Sequence, residues 1–162
     1  MSKVHLFVGS VDGAAEYAST SLHAAFNNQG VHACIYRRPS IEDLLAIPPT
    51  DTLLIITSTT GRGELPLGLR PLWRSLDDTK PALTGLRYAT AVLGDRSYGK
   101  NYCLGGLRLD SVLLAFGATR LQAPLLIDAE QTNNPEDVIM PWGLDIATQQ
   151  NSTAKRAQQG NH

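Results

Sequence analysis

Read from its amino end, the chain alternates short apolar runs with longer stretches in which apolar residues recur every three or four positions. Lys3 to Val8 predicts a strand that stops at Gly9-Ser10. From Gly13 to Asn28, Ala18, Leu22 and Ala25 keep helical spacing, and Asn-Asn-Gln-Gly closes the segment as a helix stop. Val31 to Tyr36 predicts a second strand, and Pro39 to Leu45 a short helical connection ahead of Pro48-Pro49. Thr52 to Thr57 is almost wholly apolar, as expected of a strand buried on both faces of a parallel sheet. Pro66 to Leu76 predicts a helix that tolerates Pro71 only near its start. Arg87 to Leu93 is a fourth strand. Leu109, Val112, Leu113 and Phe116 then stripe a helix that stops at Gly117. Arg120 to Ile127 is a fifth strand interrupted by Pro124, which suits an edge or a bulge. Pro135 to Gln150 predicts a last, weaker helix, and the tail at 151–162 is expected to be disordered.

Five strands alternating with helices predict a doubly wound parallel sheet with helices on both faces, in one domain over 1–150. The 162 residues, 43% hydrophobic and 18% charged, suit a single folded unit. No apolar run reaches the length of a membrane span, and the first residues lack a signal peptide's apolar core. A net charge of −1 argues against non-specific nucleic-acid or membrane binding. Cys34 and Cys103 are too few for a disulfide framework, and His5, His23, His32 and His162 lack ligand spacing, so no metal is expected. A cytoplasmic protein is the expectation.

In a doubly wound sheet, ligands bind beyond the carboxyl ends of the strands. Three unusual loops follow strands one, three and four. Ser10, Val11, Asp12, Gly13, Ala14 and Ala15 make a small-residue turn into a helix, suited to an anion on backbone amides, although an Asp12-capped turn accounts for it equally. It has no lysine and is no nucleotide-triphosphate P-loop. Ser58, Thr59, Thr60, Gly61, Arg62 and Gly63 concentrate hydroxyls and glycines after the most buried strand. Gly94 to Cys103 places Tyr98 and Tyr102 in a chain that is only 6% aromatic. An aromatic on a rim can stack on a flat ring or cover a helix end.

Together, Ser-Thr-Thr-Gly-Arg-Gly-Glu-Leu-Pro (58–66), Leu-Gly-Asp-Arg-Ser-Tyr (93–98) and Tyr102-Cys103 resemble the flavodoxin family, over Lys3 to about Trp142. The likeness is to its short-chain members and to the flavin domains of diflavin reductases. It implies strand order 2-1-3-4-5, a bound FMN and one-electron transfer. Ser10 to Ala15 would cradle the phosphate, mainly through backbone amides and the Ser10 hydroxyl. Ser58, Thr59 and Thr60 would meet the phosphate–ribityl side and one ring face, with Tyr98 on the other. Leu93, Gly94, Asp95, Tyr102 and Cys103 would line the pyrimidine edge, with Asn101 beside them. The Gly61–Arg62 peptide stands where, in the family, a carbonyl turns toward flavin N5; Gly63 completes that turn.

The chain also departs from the pattern. Asp12 and Ala15 stand where the family usually carries hydroxyls, so weaker FMN binding than in a typical member is expected. Thr60 replaces a common tryptophan, leaving Thr60 and Leu65 to cover one ring face. Arg62 replaces an acid. A charge roughly 8 Å from the flavin at an effective dielectric of about 20 is worth about 2 kcal/mol. For one electron, that corresponds to an upward shift of roughly 50–100 mV. From Arg62 to Arg108 there are eight Lys or Arg against four Asp or Glu, so the expected partner surface is neutral or acidic. The resemblance implies a monomeric carrier that transiently meets a flavodoxin reductase and a redox acceptor protein, with no catalytic residue of its own. Two other readings stand beside it: an FMN-dependent quinone or NAD(P)H oxidoreductase, and a flavin-free interaction module.

Overall fold

The computed structural model describes residues 2–159, with side chains as far as Thr153. Its elements run β1 (Val4–Gly9), α1 (Ala14–Asn28), β2 (Ala33–Tyr36), α2 (Ile41–Leu45), β3 (Thr52–Ser58), α3 (Arg70–Thr79), β4 (Arg87–Gly94), α4 (Leu104–Ala115), β5 (Thr119–Arg120), β6 (Leu125–Asp128) and α5 (Glu136–Gln159). All pairings are parallel, in the order β2-β1-β3-β4. The last position is shared. β5 pairs with β4 at Arg87 and Tyr88, and β6 pairs with it from Ala91 to Gly94. The predicted fifth strand is therefore split around Pro124, whose missing N–H breaks the ladder. This is the 2-1-3-4-5 topology with its outer strand in two pieces.

Alternation along the strands makes two cores. Val4, Leu6 and Val8 of β1, with Leu54 and Ile56 of β3, face α1 and α5. Phe7, Leu53, Ile55 and Tyr88 face α2, α3 and α4. Local chemistry sets the helix ends. Ser40 and Asp43 form a reciprocal capping box on α2, with Asp43 N–H donating to Ser40 Oγ (3.1 Å) and Ser40 N–H to Asp43 Oδ2 (2.9 Å). Pro71 lies in the first turn of α3, after a 3₁₀ turn at Leu67–Leu69. α5 is as predicted over its middle and differs from expectation at its end. It continues through Pro141, which is exposed, so water can meet the carbonyl left without a donor. It also extends to Gln159, where a disordered tail was expected from Asn151. The residues after Thr153 include Ala154, Lys155, Arg156 and Ala157, strong helix formers that carry the helix without an apolar stripe. Residues 160–162 of that expected tail lie outside the described chain.

A polar network that the pattern of apolar residues does not announce closes the outer edge. Asp110, 1% exposed, accepts from Thr90 Oγ1 (2.9 Å) and pairs with the Arg120 guanidinium. The Tyr88 hydroxyl donates to the Asp110 carbonyl (2.8 Å). Burial pushes the Tyr88 phenol up to about 12. Asp110→Ala leaves Arg120 half-buried and without its partner, and is expected to destabilise the fold by about 2–3 kcal/mol. Adding Arg120→Met should restore at least half of that, as urea unfolding of both variants would measure.

Candidate functional site

Three loops converge at the carboxyl ends of β1, β3 and β4. In the first, Gly13 takes φ 94° and starts α1, a conformation glycine adopts without strain. The Gly13 N–H donates to Ser10 Oγ (2.9 Å), and the Ala14 N–H to Asp12 Oδ1 (3.2 Å). Asp12 thus reaches the helix N-terminus, one of the two roles open to it from sequence. Two amides suited to an incoming anion already carry side-chain partners, one of them negative. Ala15 is fully buried in the core.

The second loop is a closed turn: Thr60 N–H to Glu64 O (3.0 Å), Gly63 N–H to Thr60 O (2.9 Å) and Glu64 N–H to Thr60 Oγ1 (3.1 Å). Gly63 supplies its left-handed residue, at φ 81°. Asn101 donates from Nδ2 to the Gly61 carbonyl (3.2 Å), tying this loop to the third. Arg62 is exposed and forms no ion pair among the described residues. Leu65 is a correction to the sequence reading. Rather than covering a ring face, it is 6% exposed and belongs to the α3–α4 core, because the turn rotates it inward after Gly63.

In the third loop, Asp95 accepts from the Ser97 N–H (2.8 Å), and bonding to Ser97 holds its carboxyl below the usual range. Arg96 pairs with Asp128 (3.4 Å) and lies 5.4 Å over the Tyr102 ring. The Tyr102 N–H already donates to Gly99 O (3.0 Å). Cys103 turns its thiol inward against the Val92 carbonyl, behind Gly94. The Tyr98 ring stands 3.6 Å from where a Cβ on Gly61 would sit, so loops two and three touch.

Between the loops lies a cavity of about 150 Å³. Of the residues singled out by sequence, Val11, Asp12, Ala14, Ser58, Thr59, Leu93, Gly94, Asp95 and Tyr98 line it. Ser10, Gly13, Ala15, Thr60, Gly61, Arg62, Gly63, Asn101, Tyr102 and Cys103 do not line it. Ile127, Ala129 and Pro135 form a wall that sequence reasoning missed; the turn signals after β6 were the only hint. The volume is below that of ordinary cofactor pockets.

The architecture and rim define a doubly wound protein with a ligand site at its switch point. A model of the flavodoxin family matches residues 6–142. The chain is 36% identical to flavodoxin YqcA of Escherichia coli (strain K12) over 143 residues, 88% of this chain and 94% of that one. The structure of a cysteine-to-serine mutant of flavodoxin from Pseudomonas aeruginosa matches with a TM-score of 0.77 at 34% identity, covering 91% of this chain and 96% of that chain. A 100-residue stretch, 60% of this chain, is 35% identical to part of NADPH-dependent diflavin oxidoreductase 1 of Cryptococcus neoformans, covering 16% of that protein. The chain belongs to the flavodoxin family. The family's cofactor is FMN.

The residues present fit such a cofactor on one decisive point. Ser58 Oγ and Thr59 Oγ1 are buried, line the cavity and have no hydrogen-bond partner among the described residues. Buried hydroxyls are ordinarily paired, so these two call for a polar ligand.

Burial pushes the Cys103 thiol up to about 11 from an ordinary 9.0. Its contribution to stability is present below pH 9 and lost as pH rises toward 11, because the unfolded thiol ionises first. Unfolding midpoints should fall across that window, and less so in Cys103→Ala. At about pH 8 a thiol reagent should modify half-buried Cys34 well before Cys103 in the native protein.

Proposed function

We propose that this protein is a one-electron carrier that binds one FMN in the three-loop cleft and exchanges electrons with a reductase and an acceptor protein. The observation that carries the reading is the pair of unpartnered hydroxyls, Ser58 and Thr59, facing the cavity in a chain of the flavodoxin family. FMN, when bound, supplies the redox chemistry. The chain's own residues bind and orient it. The amides of the Ser10–Ala14 turn and the α1 N-terminus would hold the phosphate, in competition with Asp12, which already accepts from the Ala14 N–H. Ser58 and Thr59 bond the polar chain of the cofactor. Tyr98 would cover the flat ring system, and Ile127, Ala129 and Pro135 would wall the cleft opposite the loops.

Leu93, Gly94 and Asp95 would hold the ring's polar edge, with Tyr102 and Cys103 packed behind Gly94. Asn101 steadies the Gly61 carbonyl, and Arg62 adds positive charge at the rim. The carrier works as a monomer in the cytoplasm. Two free cysteines agree with a reducing compartment, and no helix among the described residues is long and apolar enough to cross a membrane. The Cys103 thiol, buried and held protonated, offers no nucleophile at the rim.

Titrating flavin-free protein with FMN, followed by flavin fluorescence quenching, should saturate at one FMN per chain. Ser58→Ala and Thr59→Ala are each expected to weaken binding about fivefold. Asp12→Ser should tighten it about tenfold by removing a carboxylate opposed to the phosphate. A chain that takes up no FMN would sink the carrier reading. Purified holoprotein should oxidise NADPH only when a reductase is added; steady oxidation by the protein alone would make it an oxidoreductase.

A further inference from the structure

A second cleft, of about 150 Å³, lies outside the three-loop site. It is lined by Gly63, Glu64, Leu65, Trp73, Gly105 and Arg108, so it sits where the second loop meets α3 and α4. Its floor is rigid. A Cβ on Gly105 would lie 2.9 Å from the Glu64 carbonyl carbon and 3.0 Å from Gly63 O, so α4 rests directly on the loop backbone. One wall is apolar, made by Leu65 and half-buried Trp73.

The charge around this cleft is one-sided. Its one acid, Glu64, is held by Arg70 (3.0 Å). Arg108 lines the cleft and is exposed, with no ion pair among the described residues. Arg62 adjoins Gly63 in the chain. Lys100 adjoins Asn101, whose side chain would lie 3.2–3.3 Å from a Cβ on Gly63. Neither cation forms an ion pair among the described residues, and both are exposed. One free cation, Arg108, thus lines an apolar notch, and two more, Arg62 and Lys100, are carried by the loops that meet beside it. Across the third loop the charge reverses: carboxylate oxygens of Asp95, Asp128 and Glu130 lie within 4.8 Å of one another. The repulsion from Asp95 is the main cause that raises the Glu130 carboxyl. An acidic partner is therefore repelled on that side and attracted on this one.

We propose that the cleft between the second loop, α3 and α4 is the docking site for an acidic segment of a protein partner, with a carboxylate against Arg108 and an apolar side chain against Trp73. The assignment deepens the carrier reading and rests on it for the reason a partner approaches this rim. Docking here sets the partner beside Gly61–Gly63, at the edge of the cofactor cleft. A nucleic acid fits less well, since its backbone needs a longer track of cations and meets the Asp95–Asp128–Glu130 corner.

The test titrates ¹⁵N-labelled protein, as purified, with an acetylated, amidated pentapeptide of sequence Glu-Glu-Leu-Glu-Glu. The amide resonances of Gly63 and Gly105 and the Trp73 indole should shift together, and binding should weaken with added salt. Arg108→Glu should weaken it about tenfold, whereas Arg108→Lys retains most of it. Amide dispersion reports that each variant is folded. Lack of shifts at these three residues up to millimolar peptide would overturn the proposal. So would equal binding of Lys-Lys-Leu-Lys-Lys, an unchanged affinity in folded Arg108→Glu, or displacement of the peptide by a ten-residue oligothymidylate. The flavin absorbance of the same sample reports separately on the carrier reading, because the peptide titration does not require FMN.

Discussion

The close approach of α4 to the ends of β3 and β4 is the constraint on which the rest of the rim depends. A Cβ on Gly106 would lie 2.5 Å from Val92 Cγ2, and one on Gly94 would lie 2.7 Å from the Cys103 sulfur. Only hydrogen fits at these points. Because the helix can come this near, the loop entering it is pulled down over the end of β4, and the second loop is pressed between α4 and α3. Tyr98 then reaches Gly61, and Asn101 reaches the Gly61 carbonyl. The cleft and the notch beside it are both consequences of that packing.

Polar groups in this protein are distributed by the same geometry. At the outer edge, where the fifth strand breaks, Thr90 and Arg120 bond the Asp110 carboxylate and Tyr88 bonds the Asp110 carbonyl, with Arg120 Nε left without a partner. On the opposite side of the sheet's middle, His5 contacts Tyr36 (2.9 Å) and Asp51 (2.8 Å). Burial opposes ionisation of Asp51, yet hydrogen bonds from His5 and the Lys3 amide hold its carboxyl below the usual range. Among the buried groups without a partner in the described residues, Ser58 and Thr59 are the two hydroxyls. They are as buried as the structural polar groups, but nothing in the described protein meets them. A polar group buried without a partner is costly, and such a cost persists where a ligand can remove it.

The rim is also electrically divided. Arg108 lines the notch between the second loop, α3 and α4, with exposed Arg62 and Lys100 on the neighbouring loops, while Asp95, Asp128 and Glu130 gather by β6. Counting charges between Arg62 and Arg108 revealed the basic excess but not its shape. Arg87 and Lys80, which add to the same count, lie at the other end of the sheet or on a far turn, with Arg87 bonded to Gln150 and to the Thr50 carbonyl. Part of a sequence's charge always falls on faces that no ligand sees.

Most strands and helices were legible because their signals are local. Period-two and helical spacing survive any tertiary arrangement, and Pro124 announced the broken fifth strand by lacking a donor. The three loops were legible for a similar reason: glycines, hydroxyls and tyrosines were concentrated where a parallel sheet presents its ligands. What escaped depended on contacts between distant residues. The wall of Ile127, Ala129 and Pro135 exists only because β6 pairs with β4, and Leu65 faces the core only because the turn before it closes on Thr60. Cys103 lies at the rim in sequence and points away from it in space. The residues alone determined the layers, the strand sequence and the chemistry available at the rim. Tertiary packing decided which of those groups face the cleft, since direction is set by neighbours that the local chain does not encode.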